Sequence, residues 1–152
     1  MTLYVLLKYV HVLLAIVAIG FNASYGVWLS RAGAEPGYSL HVVRTIKFLD
    51  DRFANPAYGL LLITGVALAF IGNIPLTSFW TASALVLYVL LLIGAAGFYS
   101  PTLRRQIAVL ESSGPTSDEY QRLSRRGTML GILLLLVVLI IELLMVSKPS
   151  LY

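Results

Sequence analysis

Four side chains that can titrate or hydrogen-bond sit inside otherwise apolar stretches: Lys8, His11 and Asn22 near the start of the chain, and Glu142 near its end. A histidine titrates near neutral pH, and a buried carboxylate can be pushed there. On a helical wheel of about 100° per residue, His11, Ala15, Ala18, Asn22 and Tyr25 fall within roughly 40° of one direction, and Lys8 lies about 60° from His11. Leu, Ile and Val occupy the rest of that segment. Polar groups avoid lipid, so this face is expected to point into a helical bundle. Lys8 and Glu142 each lie about four residues inside the end of their apolar stretch, roughly 6 Å deep at 1.5 Å per residue. An unpaired charge at the centre of a membrane helix costs about 2.5 to 3.5 kcal/mol, and less at this depth. The expectation is that Lys8 and Glu142 meet between the first and fourth helices, with His11 beneath them. Two readings stay open. The pair fixes which helices are neighbours, with Lys8 also able to snorkel to headgroups; or Lys8, His11, Asn22 and Glu142 form a functional polar cluster.

The elements that position these groups follow from composition. The chain has 152 residues, 59% hydrophobic and 12% charged, against about 25% charged in soluble domains. Stretches at about residues 4–29, 57–71, 79–100 and 129–146 are apolar enough to cross a bilayer, which takes roughly 20 residues. The second is short, but its pattern extends back through Phe53. The first run is too long for a leader's apolar region and lacks a basic flank, so it reads as a retained span. Arg31, Arg44, Lys47 and Arg52 fall in the first long connection, and Arg104, Arg105, Arg122, Arg125 and Arg126 in the second. Lys148 is the one cation outside the spans on the other side. The positive-inside rule then predicts N-out, C-out topology, with both long connections cytoplasmic. The same placement accounts for the net charge of +4 by attraction to anionic lipid and argues against nucleic acid. No cysteine is present, which excludes disulfides, zinc–thiolate sites and a thiol nucleophile. No nucleophile elbow, phosphate loop or zinc-protease motif occurs, and no metal site is assigned.

The predicted fold is an all-α, polytopic membrane four-helix bundle with cytoplasmic helical extensions. Val42, Ile46, Leu49 and Phe53 recur at helical spacing between charges, which predicts an amphipathic cytoplasmic helix over about 39–53. Asn55 fits an N-cap before Pro56, so a fresh start or a kink is expected there. Residues 101–128 read as a helical hairpin broken at "SSGPTS", restarted by a capping box at Thr116 and Glu119. Gly94, Ala95, Ala96 and Gly97, with Gly59 and Gly65, predict close helix packing. Ser24, Thr64 and Asn22 are expected to bond their own or neighbouring helices.

The segments "KYVHVLLAIVAIG", "DRFANPAYGLLLITG" and "LMVSKP" resemble a family of bacterial integral membrane proteins of unknown function. That resemblance covers most of the chain and implies four transmembrane helices in a bacterial inner membrane. More distantly, a first-span histidine followed by a small-residue face is similar to the copper-resistance D-like proteins and the membrane-bound protoporphyrinogen oxidases. The latter implies haem ligation by a histidine of this kind, here His11. His41 lies in the cytoplasmic connection, so the second axial donor would be Met145, or the iron would be five-coordinate. Copper lacks its usual ligand set. Three functions follow: a haem or related cofactor site beside His11; a proton-coupled or anion carrier, which four helices make only as an oligomer; or a non-catalytic partner that docks another membrane protein through its cytoplasmic helices.

Overall fold

The computed structural model describes residues 2–149. It is all-helical. Helix α1 spans Leu3–Ala34, and a short 3-10 turn, Pro36–Tyr38, leads into α2, Ser39–Leu49. A π turn, Asp50–Ala54, joins α2 to α3, Asn55–Ile71. Helix α4, Phe79–Gly94, runs through a second π turn, Ala95–Tyr99, into α5, Ser100–Ser113, and α6 covers Asp118–Ser147. Four rods result, each long and apolar enough to cross a membrane. Ile63, Phe70, Val86, Leu143 and Val146 are among many large apolar side chains exposed on the outside of the bundle. In lipid that is the face such residues should show.

The helix boundaries have local causes. Pro36 disfavours helix at Glu35, and α1 ends with the Glu35 N–H donating to the Arg31 carbonyl. Gly114, at φ 78°, and Pro115 break the hairpin between α5 and α6. The α6 cap is Ser117, whose hydroxyl accepts from the Tyr120 N–H at 3.4 Å. It is one residue later than the Thr116 capping box expected from spacing. Asp118 and Glu119 follow in the first turn, where the helix dipole favours acids. At the other end α6 stops at Lys148, in left-handed conformation, just before Pro149.

Pro56 neither starts a fresh helix nor breaks one. Asn55 is helical and its side chain bonds Asp50 rather than a free backbone N–H. The π turn ends immediately before "NP", and the second π turn ends immediately before "SP" at Ser100 and Pro101. A proline inside an α-helix removes one hydrogen bond and presses its ring on the carbonyl four residues back. A wider turn just upstream moves that carbonyl away and keeps the rod continuous.

Packing divides into two clusters. On the side of the arginine-rich connections, Tyr25, Val43, Ile46, Tyr99, Leu103 and Tyr120 come together. Within the membrane, Ala18, Ala54, Ala57, Leu61, Ala84, Val138 and Ile141 do so. Alanines at the closest points suit lipid, where association depends on tight contact. Of the expected small-residue patch on the third span, Gly94 makes the close approach: a Cβ there would lie 2.8 Å from Leu134 Cδ2, whereas Gly97 faces open space. Arg44 of α2 pairs with Glu111 of α5, and Lys47 with Asp51.

Gly127 permits the tightest contact in the hairpin. A Cβ there would sit 2.5 Å from Gln106 Nε2. Gln106 is 1% exposed, and its amide donates to the Leu123 carbonyl at 3.0 Å. Gly127→Ala should therefore displace that amide and cost about 1–3 kcal/mol, the scale of a buried polar group losing its partner. Unfolding in detergent checks this, and adding Gln106→Ala should recover part of the loss.

Candidate functional site

The site assembles at the end of the bundle where α1 and α3 lie side by side. His11 is on the polar face of α1, as the wheel predicts, and it meets Thr64 of α3: Nδ1 and Oγ1 are 2.7 Å apart. The threonine hydroxyl also donates to the Leu60 carbonyl of its own helix, at 2.7 Å. A hydroxyl has one proton to give and two lone pairs to receive with. With its proton on Leu60, it accepts from His11, which places the imidazole proton on Nδ1. His11 Nε2 is then a bare lone pair. Gly65, the next residue, makes room for the ring, since a Cβ there would lie 3.1 Å from His11 Cε1.

About three turns deeper, Asn22 of α1 donates to the Tyr58 hydroxyl of α3 at 2.8 Å and to the Ala18 carbonyl at 2.9 Å. Tyr88 of α4 donates to the Tyr58 carbonyl at 2.6 Å, and the two rings meet edge-on at 6.4 Å. Ser24 bonds its own helix at the Phe21 carbonyl, as expected. The polar face of α1 is thus read by α3. The expected placement between the first and fourth spans is joined by α3, which supplies the hydrogen-bond partners Thr64 and Tyr58.

A cavity of about 530 Å³ opens among α1, α3, α4 and α6. Its lining is mainly apolar, and Lys8, His11, Glu142, Met145, Trp80 and Lys148 contribute to it. That volume lies within the range of about 300–1,000 Å³ typical of small-molecule sites, which join apolar walls to a few placed polar groups. The Lys148 ammonium lies over the Trp80 ring, 5.6 Å from its centre, a cation–π contact at the rim.

Lys8 and Glu142 share this cavity but form no ion pair within 4 Å; among the described residues the ion pairs are Arg44–Glu111 and Lys47–Asp51. The pair expected from depth is therefore open. Both groups stand at the cavity wall on different helices, and Lys8 is exposed. Asn22 is not part of the lining; it touches the cavity through Tyr58, which is. Among the described residues no cluster of three or more His, Cys, Asp or Glu could hold a metal ion.

Thr64, expected to bond its own or a neighbouring helix, does both, and the residue it meets on the neighbouring helix is His11. The signal for that pairing was depth: His11 stands seven residues from Tyr4, and Thr64 seven from Ile71, at the ends of their spans on the same side.

The model of a family described as a predicted integral membrane protein, DUF2269, matches residues 5–149. The chain belongs to that family. Nothing matches among the curated proteins or the solved structures. DUF2269 membership agrees with four membrane-crossing rods and with a chain that sits in a bilayer.

Proposed function

We propose that this DUF2269 protein binds a haem-class macrocycle in the cavity beside His11, whose Nε2 would hold the iron. The supporting observation is the imidazole whose Nδ1 proton is committed to Thr64, leaving Nε2 bare on an apolar cavity. Axial and metal-bound histidines are oriented in this manner, by a hydrogen bond at the other ring nitrogen. Met145 shares the lining and is the candidate for a second, weaker donor. Lys8 and Lys148 suit the carboxylates that such a macrocycle carries at its edge. Glu142 opposes them, and the two lysines leave the lining cationic by one charge when all three are ionised. Bound there, the group would supply one-electron redox chemistry. The protein's part is to orient the imidazole, exclude water with the apolar walls and hold the carboxylates at the rim. On the family resemblance we place the chain in a bacterial inner membrane, and on the charge asymmetry of its connections we place this cavity in the outer half.

The test is a titration of purified protein in mild detergent with haemin, followed by absorbance. A saturable Soret shift at one equivalent is expected, with iron-free protoporphyrin binding more weakly because it lacks the axial bond. A linear, unsaturable response to haemin would overturn the reading. The second reading, a carrier, draws on three titratable groups, Lys8, His11 and Glu142, sharing one cavity. It gains if haemin fails to bind and Glu142→Gln abolishes flux in proteoliposomes.

A further inference from the structure

A second polar centre lies deeper, where the π turn between α2 and α3 packs against α1. Asp50 opens that turn and is 5% exposed. Its carboxylate accepts from the Asn55 amide at 3.2 Å. The nearby ammonium of Lys47, itself buried, pairs with Asp51 instead. Asp50 thus has no cation within 4 Å among the described residues. On α1, which packs against this turn, Tyr25 is 2% exposed and its hydroxyl has no hydrogen-bond partner among the described residues. Asp50 lies near enough for its charge to act on the hydroxyls of Tyr25, Tyr58 and Tyr99.

A buried carboxylate with one amide and no cation is unfavourable as an anion, and a buried hydroxyl with no partner is unfavourable as it stands. One group that both donates and accepts removes both penalties. We propose that Asp50 is a proton-binding site, its carboxyl sharing an exchangeable proton with the Tyr25 hydroxyl through one bound water. In the protonated form the Asp50 O–H donates to the water, and the water donates to the Tyr25 oxygen. Loss of the proton to the arginine-rich side returns the carboxylate, which accepts from the same water. No other bond is made or broken.

The surroundings favour a proton over a metal cation. The facing groups are Tyr25 from α1, Lys47 and Asp51 from its own rod, Asn55 and Tyr58 from α3, and Tyr99 from the second π turn. Arg52, on the same turn, is exposed and makes no ion pair. The ammonium of Lys47 repels a metal ion, and sodium or calcium needs more oxygen donors than one carboxylate and an amide supply. Asp50 precedes the α3 span, at residues 57–71. Burial pushes its carboxyl above the usual range, Lys47 lowers it, Asp51 raises it and the Asn55 bond lowers it. A carboxyl raised in the fold binds its proton more tightly there. Its contribution favours the fold in acid and is lost as pH rises through the folded value. Tyr58 also lines the cavity of His11, so this proton is held one tyrosine away from the proposed ligand site. The inference does not rest on that ligand.

Infrared difference spectroscopy on the full chain in lipid nanodiscs, with no ligand added, tests it. A protonated-carboxyl C=O band is expected that titrates at higher pH than exposed aspartates. It should be absent in Asp50→Asn, shifted in frequency in Tyr25→Phe, retained in Glu142→Gln, and the same in sodium as in potassium. If Asp50→Asn does not fold, the wild-type and Tyr25→Phe titrations decide alone. Three results would overturn the proposal: no such band at any pH, a band indifferent to Tyr25→Phe, or a band erased by sodium and not by potassium.

Discussion

His11→Ala should abolish the saturable Soret shift while leaving the helical content unchanged. Among the described lining residues His11 supplies the ring nitrogen with a lone pair to offer; the Trp80 indole nitrogen only donates, and an ammonium has no lone pair. The His11 side chain is partly exposed to the cavity and contributes one hydrogen bond to packing, so its removal perturbs ligation far more than folding. Thr64→Val is the sharper variant. Valine matches threonine in shape but cannot accept from Nδ1–H. The imidazole then loses its fixed tautomer, and haemin affinity should fall about 10- to 100-fold, the usual effect of removing a partner behind a ligating histidine. Equal affinity in wild type and Thr64→Val would show that the hydroxyl does not orient the ring.

The largest stability effect is expected at Leu103. This residue is 0% exposed and packs in the cluster on the arginine-rich side with Tyr25, Ile46, Tyr99 and Tyr120. Leu103→Ala leaves a cavity there and should cost about 2–5 kcal/mol. Leu136→Ala, on the outside of α6 where the leucine is 53% exposed, should change stability by about 0.5 kcal/mol or less. In lipid the surrounding chains are as apolar as the leucine they replace. Denaturant titration of both variants in one detergent checks the contrast. Similar losses at the two positions would mean that Leu136 is covered by another protein surface rather than by lipid.

The four spans, the amphipathic helix and the hairpin are all legible in residue order because hydrophobic period and charge placement act locally. Depth is legible as well: Lys8 and Glu142 do reach one cavity, and His11 does turn inward. Azimuth is not. A wheel gives the direction of a face relative to its own axis, and says nothing about which helix stands opposite. So Glu142 looked like the partner for α1, when Thr64 and Tyr58 on α3 meet it. Thr64 is legible as a residue bonded to its own or a neighbouring helix, but not as the partner of His11. It is so bonded here, and its remaining lone pair is what serves His11. Asp50 falls between the apolar positions Val42, Ile46, Leu49 and Phe53, where an unbroken α-helical period would leave it in solvent. One π turn changes the register at that residue and brings it inward, and no local pattern marks such a turn except the proline that follows it.

Those two prolines have a mechanical consequence. Because a widened turn replaces a break at each, residues Pro36–Ile71 and Phe79–Ser113 form continuous rods of 36 and 35 residues, each about 50 Å long at 1.5 Å per residue. One end of the first braces α5 through α2, and its other end lies along α1 beside His11. No slack loop separates the two ends. The cavity and the basic hairpin are thus joined by one unbroken helical element rather than by a loop.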